Sequence, residues 1–254
     1  AHSGELLHVY NQVRFFDGAV EGYHDVRTVD GNMTWSPMPY VRVSNGTDII
    51  AADELGSFTI DEGTEYTTTF NGEFFNVINT YGNSEFAFDT DTVSWTEDDA
   101  HQAEIDNYIF LHQVLDWGET YAPEVWYVRL KLASYVNIDS ACNAYYNGDL
   151  NFFRSGSGCN NTGRIADVNY HEWGHGFHEW SIKSGWFDGS LSEGAADTIS
   201  FLQTNDSHLA PYFQINGGSL RNVNNDRRYP DDYVDDPNYV HYNGLIFGGA
   251  MWDF

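Results

Sequence analysis

Apolar positions in roughly the first 95 residues fall into short runs that alternate with polar ones or favour β-branched side chains. Tyr40-Val41-Arg42-Val43, Ser57-Phe58-Thr59-Ile60, Tyr66-Thr67-Thr68-Thr69-Phe70 and Phe74-Phe75-Asn76-Val77-Ile78 are examples. Turn residues such as Ser44-Asn45-Gly46-Thr47 separate them, and the pattern predicts antiparallel β structure over residues 1 to about 95. The period changes near Thr96. Thr96 with Glu97, Asp98 and Asp99 reads as an acidic helix start, followed by a stripe of Ala103, Phe110, Leu111, Val114 and Trp117, with Gly118 closing it. A strand pair is expected around 125–130 and 136–153, with a turn at Asn147-Gly148. A second helix is predicted from a Thr162 cap to about Ser184, a third from Ser190 to about Gln203, and a fourth from Asn243-Gly244 onward. The order is β-rich, then mixed, then helical. It predicts an α+β fold with a β-rich region at 1–95 and a second region at 96–254.

Charge narrows the function classes. The 254 residues carry 11 Lys+Arg against 38 Asp+Glu, a net charge of -27, which argues against nucleic acid or an anionic membrane surface as partner. The hydrophobic share of 41% supplies a sizeable core, and no apolar run is long enough for a membrane span. Cys142 and Cys159 bracket a predicted hairpin, so a local disulfide is expected; two free thiols or a zinc pair are the alternatives. A bridge would fit an exported protein. So would the sequons at Asn32, Asn45, Asn160 and Asn205, which could equally be accidents of an Asn-rich chain. The opening Ala1-His2-Ser3 has no basic or apolar leader character, so any signal or pro-segment is expected to have been removed.

The chemistry sits in the second predicted helix. His171-Glu172-Trp173-Gly174-His175 places two histidines at i and i+4 on one face, about 6 Å apart, able to converge on one cation. Glu172 is turned away by roughly 100° and can act on water without being a ligand. Chance supplies such an H-E-x-x-H about 0.02 times in a chain of this composition. Glu193 is a candidate third ligand on its own helix, with Asp197 one turn further, placed to accept the second N–H of a ligating histidine. The structural alternatives are a capping box with Ser190 for Glu193 and a solvated carboxylate for Asp197. His178, two turns from His171, is expected at the surface or behind the ligands. Aspartates cluster at Asp89/Asp91, Asp98/Asp99 and Asp231/Asp232/Asp235/Asp236; such groups suit structural calcium or are solvated charge.

His171-Glu172-Trp173-Gly174-His175 together with Glu193-Gly194-Ala195-Ala196-Asp197 resembles the gluzincin metallopeptidases, and a metzincin pattern fails because 178 and 181 are His and Ser. Two further segments resemble the thermolysin-like and fungalysin-like branches over residues 96–254. Asn143-Ala144-Tyr145-Tyr146-Asn147-Gly148 is similar to their substrate-pairing edge strand, and Asp236-Pro237-Asn238-Tyr239-Val240-His241 to their Asp-x-x-x-Val-His element. The resemblance implies a zincin-type catalytic domain at 96–254. His171, His175 and Glu193 would hold Zn2+, Glu172 would act as general base, and Asp197 would orient a ligand. His241 would stabilise the transition state with Asp236 orienting it, while Asn143 and Ala144 would bind substrate. The chain lacks the tyrosine these families carry between the second histidine and the glutamate, and Arg221, Arg227 and Arg228 compete for their carbonyl-orienting arginine.

The expected function is a secreted zinc endopeptidase acting on protein or peptide substrates. The alternatives are an inactive, calcium-bound β-rich adhesion module with a metallopeptidase-like half, or a zinc hydrolase of non-peptide substrates. The apolar run Leu245–Phe254, without a cap or polar tail, raises a further expectation: an incomplete C-terminal helical lobe completed by a second polypeptide chain.

Overall fold

The computed structural model describes residues 14–254; Ala1-His2-Ser3 and the rest of the first 13 positions lie outside the described residues. The strands run in chain order as β1 Phe15–Asp25, β2 Met33–Pro37, β3 Arg42–Ser44, β4 Ile49–Ala51, β5 Ser57–Asp61, β6 Tyr66–Thr69, β7 Phe75–Asn79, β8 Glu85–Phe88 and β9 Thr92–Trp95. Helix α1 Gln102–Tyr121 follows, then β10 Leu132–Ile138, β11 Ala144–Tyr146 and β12 Leu150–Phe153. The last third contains α2 Ala166–Ser181, α3 Gly189–Thr204, the ribbon β13 His208–Leu209 and β14 Arg221–Asn222, and α4 Val240–Asp253. The expected α+β class holds, with strands concentrated before α1 and helices after it.

Among the described residues three four-stranded sheets take up strands β1 to β12. β2, β1 and β5 are antiparallel neighbours, with β9 parallel to β1. A second sheet has the order β4-β3-β6-β8, all antiparallel. The third has the order β11-β12-β10-β7, in which β10 lies parallel to both β7 and β12 while β11 runs antiparallel at the edge. This sheet crosses the division expected near residue 95, because β7 from the early region pairs with β10, register Ser134 opposite Val77. Alternating burial in β5 and β7 shows one face of each strand packed on the core.

Helix α1 is the spine. Its residues from Gln102 to His112 are all buried, so that half is enclosed on every side, while from Gln113 on only a stripe with Val114, Leu115 and Gly118 is buried. The polar members are paired. Glu104 accepts from Ser84 and Asn79, Asn107 bonds Ser134 and Asn169, and Asp106 accepts from the Asp25 backbone and Arg164. The helix starts at 102 and not at Thr96, since Asp99 folds back onto the Thr96 amide and hydroxyl while His101 and Glu104 form a reciprocal capping box. Gly118 does not close it either. It lies inside the helix against the Trp173 ring, where a Cβ would stand 2.7 Å from the indole.

Other boundaries also shift. Residues 126–129 form a 3-10 turn instead of a strand, and the strand after it is β10. The turn at Asn147-Gly148 is present, with Gly148 at φ +104° joining β11 to β12. Thr162 does not cap α2, because its hydroxyl serves Phe153 and Asn143; a short 3-10 turn over 162–164 intervenes and α2 begins at 166. Asp188, not Ser190, caps α3 through the Leu191 amide. Helix α4 begins at Val240, so His241 lies in its first turn. Cys142 and Cys159 form the expected disulfide beside the β11–β12 hairpin. Among the described residues no helix is long and apolar enough to cross a membrane.

Candidate metal centre

The root of α2 is anchored before its chemistry begins. The Arg27 guanidinium forks onto Asp167 with two contacts of 2.8 Å and reaches Asp206 at 2.7 Å. Arg164 binds Asp25 at 2.7 Å and Asp106 at 3.2 Å. One helical turn beyond Asp167, His171 and His175 share a face, their ring centroids 4.6 Å apart. Helix α3 packs against α2 and brings Glu193 to the same point. Nε2 of His171 lies 3.3 Å from Glu193 Oε2, and Nε2 of His175 lies 3.7 Å from Glu193 Oε1.

One ligand atom from each of His171, His175 and Glu193 lies within 4.8 Å of the others. Among the described residues this is the group of three His, Cys, Asp or Glu side chains that converges in this way; the aspartate clusters weighed for calcium form no such group. The donor set fits a tetrahedral cation. With metal–ligand bonds of about 2.0–2.1 Å, neighbouring ligand atoms should stand about 3.4 Å apart, close to the 3.3 and 3.7 Å found. Glu193 Oε2 is buried and accepts no hydrogen bond, the kind of orphaned acceptor that a cation satisfies.

The surroundings follow the same logic. Asp197 Oδ1 lies 2.9 Å from His171 Nδ1 and 3.1 Å from Arg221 Nη2, close contacts of charge in which the histidine and aspartate atoms are not aligned as a hydrogen bond. Ser192 Oγ lies 2.9 Å from His175 Nδ1 and fixes that ring from behind. Sequence reasoning missed Ser192, whose only sign was its place immediately before Glu193. Burial lowers the His171 pKa, but its contacts with Asp197 and Glu193 outweigh this and raise it to about 10. Burial pushes His175 down to about 3, assisted by the charge on His171. Glu193 would be raised by burial, yet His171 and the other histidines bring it to about 2. A bound cation would compete with a proton for His171. Glu172 is buried beside the ligands and burial pushes it up to about 7.

His241 comes from α4, with Nε2 3.3 Å from Glu193 Oε1, and is largely exposed to the cleft. Asp236 is not brought to it. Its Oδ1 accepts from the Asn238 backbone and side chain at 2.9 and 2.8 Å, capping the short turn before α4. Of the three arginines left open, Arg221 lines the cleft, lying 3.9 Å from Glu193 and beside Asp197, whereas Arg227 stacks over Tyr242 at 3.7 Å. His178 stays outside the group, its ring 6.0 Å from that of Phe187. Asn143 and Ala144 line the same cleft, of about 1190 Å³, with Ala144 opening the edge strand β11.

A structural comparison supplies an outside reference. The precursor of protealysin, a metalloproteinase from Serratia proteamaculans, matches 70% of this chain and 67% of its own with a TM-score of 0.54. The two share a fold. Their sequence identity is 15%. No family profile matches the chain, and no curated protein matches it in sequence.

Proposed function

We propose that this chain is a zinc-dependent endopeptidase, a reading that rests above all on the convergence of His171, His175 and Glu193 beside buried Glu172 in an open cleft. In this reading the three side chains hold Zn2+, which when bound polarises the scissile carbonyl and acidifies water. Glu172 takes a proton from the attacking water and passes it to the leaving amine nitrogen. His241 and Arg221, both facing the cleft, donate hydrogen bonds to the carbonyl oxygen as its charge develops. The peptide adds as a strand to β11, whose free edge faces the cleft from Asn143 to Tyr146. Asp197 and Ser192 hold the two histidine rings. Asp236 positions His241 indirectly, by capping the turn that leads into α4. The bridge between Cys142 and Cys159 fits export to an oxidising compartment, where such an enzyme would act on proteins or peptides.

A buried Glu172 next to the ligand set argues against an inactive adhesion module, which has no use for the base. The deciding experiment is Glu172→Gln. The variant should keep stoichiometric zinc and lose nearly all turnover of a casein or peptide substrate, whereas His171→Ala and Glu193→Ala should lose both. Zinc content with full activity in Glu172→Gln would refute the mechanism.

A further inference from the structure

Helix α4 approaches the metal cluster through a gap in its own side chains. Gly244 is buried, and a Cβ there would stand 2.6 Å from the Glu193 Cβ, 3.0 Å from the Gly194 nitrogen and 3.1 Å from the Ser190 carbonyl oxygen. From the other side, a Cβ on Gly194 would stand 2.6 Å from the Gly244 carbonyl oxygen. Carbon atoms pack favourably at about 3.5–4.0 Å, so a methyl group at 244 would drive α4 away from α3, or Glu193 aside, by about 1 Å.

What lies at that contact is not ordinary core. Glu193 carries one of the three converging ligand atoms and a buried oxygen without a hydrogen bond, and its other oxygen is 3.3 Å from His241 Nε2. His241 and Gly244 share one turn of α4, so a displacement of the helix carries His241 with it. We infer that Gly244 is a positioning residue of the metal site. Its missing side chain sets the α3–α4 separation, and through it the place of the Glu193 carboxylate and the reach of His241. The inference rests on the metal-binding reading of the cluster and needs no particular substrate.

The fold provides an internal control one turn along. A Cβ on Gly248 would meet Val223 Cγ1 at 3.4 Å and the Asp197 Cβ and Gly194 oxygen at 3.9 Å, ordinary contacts. Both glycines are inside α4, so alanine at either gains a comparable helix propensity. Comparing the two variants isolates the close approach at Glu193.

The experiment titrates zinc into metal-free wild type, Gly244→Ala and Gly248→Ala against a competing chelator, with far-UV circular dichroism and peptide turnover on the same samples. Gly248→Ala should bind zinc within about twofold of wild type, while Gly244→Ala should stay folded and bind about 10–100-fold more weakly, as when a group that holds a ligand is disturbed. Equal zinc affinity in Gly244→Ala and wild type would overturn the inference. So would a Gly244→Ala chain that no longer folds, because the glycine would then serve the fold and not the site. Wild type that binds no zinc would remove the metal reading and this inference with it. Zinc binding without turnover, with the difference between the variants intact, would remove only the peptidase reading and leave the inference standing.

Discussion

Replacing Arg27 with methionine should be among the most destabilising changes in the early β region, because Arg27 anchors Asp167, which lines the cleft one helical turn before His171. Its partner Asp167 is 1% exposed, while the Arg27 side chain is 24% exposed, and the two make a bidentate pair at 2.8 Å. The methionine keeps the apolar stem and deletes the charge, leaving a buried carboxylate without its counter-ion. Loss of one partner from such a pair costs about 3–5 kcal/mol. For a chain of this size that corresponds to a melting temperature lower by about 6–20 °C. Asp167 also accepts the Ala210 amide at 3.0 Å, and Ala210 lines the cleft, so zinc affinity should fall along with stability. The second arm is Asp167→Asn, which removes the charge but keeps an oxygen for Ala210. Combined with Arg27→Met it should cost less than the sum of the two single changes, since neither charge remains to be buried alone. Urea denaturation of the metal-free chains, followed by circular dichroism, gives all three values. A cost below about 1 kcal/mol for Arg27→Met, the range of a solvated surface pair, would refute the reasoning. A double variant as unstable as the sum would do the same.

Stability should also respond to pH through His112, which is buried among Tyr40, Phe75 and Tyr108 and which burial pushes down to about 4, against the favourable bond to the Tyr108 carbonyl. The unfolded chain, titrating near 6.5, takes up a proton that the folded chain refuses, so stability should be unaffected above that pH and fall by about 3 kcal/mol as pH drops through 6.5 to 4; His112→Phe should flatten that slope in pH-dependent urea melts, and an unchanged slope would reject the assignment. Reduction of the bridge between Cys142 and Cys159, which closes a loop of sequence separation 17, should cost about 3 kcal/mol by the chain-entropy relation. Mass analysis should show a gain of two hydrogens on reduction, and two thiols alkylatable in the native chain would exclude the bridge.

Much of the metal cluster was legible because its spacing is local. His171 and His175 are one turn apart, as are Glu193 and Asp197, and a helix converts such spacing into a shared face without help from the rest of the fold. Ser192 and Arg221 were not legible in their roles. Ser192 faces His175 only once α3 is docked on α2, and Arg221 arrives from the β13–β14 ribbon through a long loop that carries no period. The division at 95 follows a change of sequence period, yet β7 pairs with β10 across it, register Phe75 opposite Leu132, and strand partners so far apart leave no mark on local pattern. At Thr96 and Thr162 the sequence offered good caps. In both cases a nearer tertiary or turn partner, Asp99 or Phe153, took the hydroxyl.

The polar interior separates the two ends of α2 by what their groups have found. At the root, Arg27 meets Asp167, Arg164 meets Asp25 and Asp106, and Asn169 bonds Asn107 and two carbonyls of the preceding turn. Such a network fixes one arrangement of elements because a shifted register would strand several buried charges at once. Asp25, the last residue of β1, and Arg27 just beyond it thereby determine where α2 begins, and a role for the early β region emerges that no motif in it announces. Towards the cleft the pattern reverses. Glu193 Oε2 and Asp197 Oδ2, both on α3, are buried without hydrogen bonds. Among the described residues, three of the four buried carboxylate oxygens without a hydrogen bond lie here beside the histidines, and the fourth, Asp25 Oδ1, belongs to the root. A small cation is compatible with this donor set, because the ligand atoms of His171, His175 and Glu193 lie within 4.8 Å of one another and a positive charge there would satisfy oxygens that no donor reaches.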